Sequence, residues 1–478
     1  MAKTYPFLID GVWRESPETL DVRNPYDGEI VGTVFRPAAE DVEDAIRCGV
    51  RRFEETRTMP SHRRIEILEN TAAAVESRHE ELSTVLAREA GKAIRHARGE
   101  VSRAVCTLKI AAAEVHRMEG ETIPLDVTPA AEGRLGILRR FPRGALAGIS
   151  PFNFPLNLVL HKAAPAIATG NTILIKPASA TPLSSLLLGE VLMEAGALPG
   201  SYNVLPCSAA VAEPLVTDPR LNMLTFTGSA EVGWGLKRQA GKKMVCLELG
   251  GNAAVIVEPD ADMEYALKRC ILGGYAYAGQ VCISVQRIFI QESVLDDFVD
   301  GFVKGTKALH VGDPLLEETD VGPMIDEASA KKTESWVEEA VARGAKVLAG
   351  GQRDGTMFQP TVMVNVPRDA KVSCEEVFAP IVVLDKYKTF EEAVGKVNDS
   401  VYGLQAGVFT KDVEKAFLAF NALEVGGVIL NDVPTFRVDH MPYGGVKESG
   451  FGREGLKFTI EEMTEIKLMV VNKGLPLA

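Results

Sequence analysis

The sequence predicts an α/β protein with two doubly wound parallel-sheet domains and a small β arm. Three observations predict it. Between Pro142 and Val428, short Val- and Ile-rich runs alternate with Ala- and Leu-rich stretches of helical spacing. That order gives parallel sheets covered on both faces. The alternation starts afresh after Gly250-Gly251, which divides it into two series. Two further segments, 122–143 and 464–473, are short, β-rich and flanked by Pro or Gly, and fit neither series.

Each element follows in order. Residues 36–118 read as helical, with Val42, Ile46 and Val50, then Leu82, Val85 and Leu86, at helix spacing. The first series has strands at 172–175, 203–205 and 223–227, with helices at 184–195 and 231–239. The second has strands at 253–257 and 286–290 around a helix at 263–272, and further pairs run on to Val428. Residues 1–121 and 144–250 form one expected domain and 251–445 the other, with 446–463 returning to the first. Segments 122–143 and 464–478 form the arm, since strands of this kind cross to a neighbouring subunit.

Composition narrows the partners. The chain has 478 residues, 46% hydrophobic and 24% charged, with a formal net charge of -13. A chain this long buries a large core without staples. Its acidity argues against nucleic acid, which needs a basic surface. No secretory signal opens it, and Gly, Pro or charge interrupts each apolar stretch before membrane-spanning length. Seven scattered cysteines show no zinc spacing, so no metal is expected, and reduced thiols in the cytoplasm are.

The chemistry centres on Cys282, in Gly279-Gln280-Val281-Cys282-Ile283-Ser284, between a helical run and a strand. A thiolate is the strongest nucleophile among ordinary side chains. Glu248 ends an apolar strand before Gly250-Gly251. Burial would raise its pKa into the range of a general base, although a strand-end Glu can also face water. Asn153 sits between Pro151 and Pro155, where its amide can donate to an oxyanion or merely shape a turn. Gly228 and Ser229 join a strand to a helix whose first N–H groups suit a pyrophosphate, though the spacing is not the usual dinucleotide fingerprint. Lys176 closes a strand at the edge where open α/β sheets bind ligands.

Taken together, the segments SPFNFPLN (150–157), KPAS (176–179), FTGSAEVG (226–233), LELGGN (247–252), GQVCIS (279–284), EEVFAP (375–380) and MPYGGVKESGFGREG (441–455) resemble the aldehyde dehydrogenase superfamily, in its order and over nearly the whole chain. The resemblance implies an aldehyde dehydrogenase-like fold, NAD or NADP as cofactor, a small aldehyde as substrate, and a homodimer or homotetramer. The first domain would bind the cofactor and the second carry the nucleophile. Cys282 would attack, Asn153 and the Cys282 N–H would hold the oxyanion, and Glu248 would activate the deacylating water. Lys176, Gly228, Ser229, Glu376 and Phe378 would bind the cofactor. Lys162 and Glu454 match a pair that relays protons.

This chain departs from the family pattern in places. Ser179 stands where many NAD-specific members have Glu, which predicts that NADP is accepted. His161, Ala276, Val281 and Arg437 stand where relatives for apolar aldehydes place aromatics. Arg437, with His440 and His161, predicts a short, polar, anionic aldehyde such as a semialdehyde, hydroxyaldehyde or phosphorylated aldehyde, unless Arg437 pairs with Asp439 or another carboxylate. The alternative on the same fold is acyl transfer to coenzyme A. A cysteine hydrolase or a silent binding protein would leave KPAS, EEVFAP and the Asn153, Glu248 and Cys282 set without a task.

Overall fold

A computed structural model describes residues 3–472. The apolar run of residues 172–175 forms the strand Thr172–Lys176 at the middle of an eight-stranded sheet. Five strands of this sheet are parallel, in the order Met244–Glu248, Met223–Thr227, Ala145–Ile149, Thr172–Lys176, Tyr202–Val204. Their side chains are buried on both faces: Leu146, Ile173, Leu174, Val204 and Leu224 are inaccessible to solvent. This is why they read as continuous apolar runs and not as alternation. The chain order reverses between Ala145–Ile149 and Met223–Thr227. A crevice opens at such a reversal, beyond the carboxyl ends of the strands.

The second sheet has seven strands. Six are parallel: Thr361–Val364, Ile381–Tyr387, Arg287–Gln291, Ala254–Val257, Gln405–Phe409 and Gly427–Leu430. The chain passes from one sheet to the other between Glu248 and Ala254. Separate apolar clusters form around the two sheets.

The helical reading of 36–118 resolves into four helices: Ala39–Thr56, Ser61–Ser77, His79–Ala90 and Ile94–Val115. The sheets differ from the expectation at their edges. Gly450–Phe451 and Phe7–Ile9 add antiparallel strands to the first sheet, and Lys346–Ala349 adds one to the second. The strands within 4–35 were not foreseen. They span two to six residues each, and most are partly exposed, so they carry no unbroken apolar run.

A third sheet of three antiparallel strands joins Glu121–Pro124, Arg134–Pro142 and Thr464–Asn472. Residues 473–478 of the expected arm lie outside the described residues. Before that sheet, Gly450–Phe451 pairs with Met244–Glu248, and the helix Leu456–Glu462 packs on Asn157–Thr169. No helix among the described residues is long and apolar enough to cross a membrane.

Candidate active site

The reversal point of the first sheet opens into a cleft. Its wall includes Asn153, Gly228, Ser229, Glu248, Cys282, Glu376 and Phe378. These residues come from segments more than two hundred positions apart, and the fold brings them around one space.

Each is aimed by local structure. Cys282 follows three successive residues with positive φ, Tyr277, Ala278 and Gly279. Such a turn is strained in the two that carry a Cβ and persists only where packing holds it. Here the buried Tyr277 hydroxyl donates to the Ala90 carbonyl at 2.7 Å. The sulfur lies 2.9 Å from the Tyr443 hydroxyl. Burial and the nearby Glu248 carboxylate push the thiol up, while Tyr443 and Arg437 oppose that shift.

Asn153 is buried, and its amide nitrogen donates to the Gln280 carbonyl at 3.0 Å. One amide N–H remains, and the Asn153 side-chain oxygen has no partner among the described residues. Its loop is clamped from below. The Lys92 ammonium donates to the Asn153 carbonyl at 2.6 Å and pairs with Glu100. Glu100 in turn accepts from the N–H groups of Leu156 and Asn157, at 3.0 and 3.1 Å. This carboxylate satisfies otherwise orphaned donors at the start of helix Asn157–Thr169.

Glu248 ends its strand almost wholly buried, with one oxygen unpartnered. Desolvation first, and the Glu454 charge second, push its carboxyl well above the usual range. Glu376 accepts from the Gly251 N–H at 3.0 Å, and burial raises its carboxyl to about 7. A Cβ on Gly250 would overlap that carboxylate, so a larger residue there would displace the Glu376 side chain. Phe378 sits at φ +54°, with its ring edge-on to Phe152 at 5.7 Å.

Ser229 has extended backbone at the start of helix Ala230–Gln239, and its side chain makes no cap hydrogen bond. Lys176 ends its strand, donates to the Pro177 carbonyl at 3.1 Å, and has its ammonium pKa lowered by burial. Ser179 is exposed.

The expected substrate residues are arranged differently from the expectation. Arg437 is no open-mouth cation: its side chain is 7% exposed. Nor is Asp439 its partner. One Arg437 nitrogen reaches Glu454 at 3.2 Å and His161 Nδ1 at 3.4 Å. Its guanidinium stacks 3.7 Å from the Tyr443 ring centroid, and Nε has no partner. Asp439 instead holds His161 Nε2 at 2.8 Å and the Arg103 guanidinium, whose shorter contact is 2.7 Å. His161 is therefore buried inside this network, and desolvation lowers its pKa. His440 is exposed and does not line the cleft. Asp439 turns inward to its partners, and the next residue of the turn faces out.

Lys162 donates to Glu454 at 3.0 Å and to Thr227 at 2.6 Å, all three buried. The Lys162 and Arg437 charges hold the Glu454 carboxyl low despite its burial. Sequence reasoning missed Lys92, Glu100, Arg103 and Tyr443. For Tyr443 the available signal was its place in the MPYGG segment.

Comparison with known proteins identifies the family. The sequence model of the Aldehyde dehydrogenase family matches residues 13–469. The chain belongs to the aldehyde dehydrogenase family. Among curated aldehyde dehydrogenases, a 3-sulfolactaldehyde dehydrogenase of Priestia megaterium is 44% identical over 98% of both chains. A lactaldehyde dehydrogenase of Methanocaldococcus jannaschii is 42% identical over 98% of this chain and 100% of the relative. Among solved structures, an aldehyde dehydrogenase from Physcomitrella patens in complex with the reaction product succinate superposes with a TM-score of 0.98. It is 45% identical, and all of each chain is covered. A glyceraldehyde-3-phosphate dehydrogenase from Methanocaldococcus jannaschii complexed with NADP has a TM-score of 0.92 and 41% identity. That match covers 96% of this chain and 100% of the other. The protein is thus an oxidoreductase, an NAD(P)-dependent aldehyde dehydrogenase.

Proposed function

We propose that this aldehyde dehydrogenase oxidises a short, polar, anionic aldehyde to its carboxylate with NAD or NADP, through a thiohemiacetal and then a thioester on Cys282. One observation carries the reading: a thiol, an amide donor and a carboxylate with raised pKa share the wall of one cleft.

The cleft suits a dinucleotide. The N–H groups at the start of helix Ala230–Gln239, with Gly228 and Ser229, would take the pyrophosphate. Lys176 would hold the adenosine ribose, and Glu376 and Phe378 the nicotinamide end. Ser179 presents no carboxylate to repel a 2′-phosphate, which favours use of NADP. When bound, the nicotinamide supplies the hydride acceptor.

The chain's own residues do the rest. Cys282 forms a carbon–sulfur bond to the aldehyde carbon as the carbonyl π pair moves to oxygen. The free N–H of Asn153 and the Cys282 N–H receive that oxyanion, each donor worth about 2.7–4 kcal/mol. After oxidation, Glu248 takes a proton from water, the hydroxyl adds to the thioester carbon, and the carbon–sulfur bond breaks to release the carboxylate and the Cys282 thiolate. Lys162 and Glu454 pass that proton onward. A base beside the sulfur directs the thioester to water in preference to coenzyme A.

Charge supports an anionic substrate. Lys162 and Arg437 are two cations against one ionised carboxylate, Glu454, and Arg437 Nε is unpartnered. Relatives are named for sulfolactaldehyde and glyceraldehyde 3-phosphate, and one structure holds succinate. The arm carries exposed Ile466, Leu468, Met469 and Val470, which suits burial between subunits.

The test is a panel of anionic and neutral aldehydes with both cofactors, read as NAD(P)H absorbance. Cys282→Ser should abolish turnover. Arg437→Leu should raise KM for an anionic aldehyde about tenfold or more relative to propanal, the worth of one charged hydrogen bond. An equal effect on both substrates removes Arg437 from substrate binding, and kcat/KM with NADP far below that with NAD refutes the reading of Ser179.

A further inference from the structure

The Tyr443 hydroxyl takes no part in the steps above, yet it lies 2.9 Å from the Cys282 sulfur. We propose that Tyr443 is a further catalytic residue: its phenol, stacked against the Arg437 guanidinium, donates a hydrogen bond to the Cys282 sulfur and stabilises the thiolate. The proposal rests on Cys282 being the nucleophile.

Three features make the contact a fixed part of the site. Tyr443 is 2% exposed, so its hydroxyl does not exchange freely with water. Its backbone is bonded both ways to Glu454, N–H to carbonyl at 3.0 and 2.6 Å. Tyr443 also packs with Ile283 and Leu404 against Cys282. Phenol and sulfur are therefore held in register without loss of side-chain freedom at the moment of reaction.

The chemistry fixes the donor. A neutral thiol can donate to the phenol or accept from it. Once the sulfur has lost its proton it can only accept, so the phenol must donate. Hydrogen bonds to an ionised acceptor are roughly twice as strong as neutral ones. The guanidinium 3.7 Å from the ring centroid draws on the π density of the ring, which makes the O–H a better donor. Glu454 and His161 hold that guanidinium in place. The thiol proton leaves for solvent, and Tyr443 keeps its own. When the sulfur becomes a thioether and then a thioester it carries no charge, and the bond weakens.

The groups acting on the sulfur divide by sign. Glu248 and Glu376 disfavour the thiolate, while Arg437 and Tyr443 favour it. Without the phenol the sulfur would face two carboxyl groups and one cation.

The experiment is carbamidomethylation of Cys282 by iodoacetamide, followed on the Cys282 peptide by mass spectrometry because Cys106 is also exposed. Wild type and Tyr443→Phe are compared from about pH 6 to pH 10. Phe keeps the ring that Arg437 stacks on, and matched melting temperatures establish that the fold is retained. The expected result is a rate about tenfold lower at pH 8 and a profile displaced about one unit upward, the signature of a weakened thiolate. Superimposable profiles overturn the proposal. Alkylation reads the sulfur directly, so the outcome does not depend on turnover. Loss of turnover in Cys282→Ser with superimposable profiles removes Tyr443 alone, whereas retained turnover in Cys282→Ser removes Cys282 as the nucleophile.

Discussion

At the residue scale, the site is a set of ionisable groups displaced by one another. Glu248 and Glu376 both hold their protons to higher pH than an exposed glutamate, the first through burial and the Glu454 charge, the second through burial. The sign of the resulting stability effect follows. In the folded protein these groups bind more protons than in the unfolded chain once pH exceeds the ordinary glutamate value. Their contribution to stability is complete at acid pH and is lost as pH rises through the folded values, about 7 for Glu376. Melting temperature should therefore fall between about pH 5 and pH 8. Glu248→Gln should make that fall shallower. An unchanged slope would mean that Glu248 is ionised in the folded protein.

At the element scale, the loop that bears Asn153 depends on a buried ion pair. Lys92 lies in the connection between helices His79–Ala90 and Ile94–Val115, and Glu100 lies in the second of these helices. The ammonium also lies 4.0 Å from the Phe154 ring centroid and 4.6 Å from that of Tyr277. Removing one partner leaves the other charge buried and alone, at a cost of about 3–5 kcal/mol. Lys92→Met should lose that much in urea unfolding and should lower kcat more than it raises KM. Wild-type kcat would show that the clamp does not position Asn153.

The two halves of this clamp differ in how they could be read from the chain. Asn153, Glu248 and Cys282 stand in short, distinctive segments, so their candidacy was visible locally. Lys92 was not, because its meaning lies in a contact 61 positions away. Tyr443 meets Cys282 across 161 positions, and Arg103 meets Asp439 across 336. The same limit explains Arg437. Its presence near the substrate loop was legible, but its engagement with Glu454 and Tyr443 was not, since no spacing rule encodes which carboxylate a guanidinium meets. The long buried strands were legible because burial on both faces leaves unbroken apolar runs. The N-terminal strands and antiparallel edges were not, because most of them are partly exposed and carry no unbroken apolar run.

At the scale of the whole molecule, three sheets divide the labour. The first positions the crevice, the second presents Cys282 and the Glu376 loop, and the third projects an apolar surface. Ile466 is 60% exposed on the outer strand Thr464–Asn472. Exposed apolar surface on an edge strand recruits a partner. Ile466→Lys together with Val470→Lys should shift the light-scattering mass toward the monomer while the far-ultraviolet dichroism is kept. An unchanged mass would refute a subunit contact through this strand.

The central claim is that Cys282 carries the acyl group and Glu248 releases it, and trapping that group tests it most directly. Glu248→Gln, mixed with an anionic aldehyde and NADP or NAD, is quenched in acid and weighed as intact protein and as peptides. The expected result is an acyl adduct on the Cys282 peptide that accumulates to about one per subunit, because formation persists while hydrolysis slows by about a hundredfold or more. Full turnover without an adduct, or an adduct on a different cysteine, would contradict it.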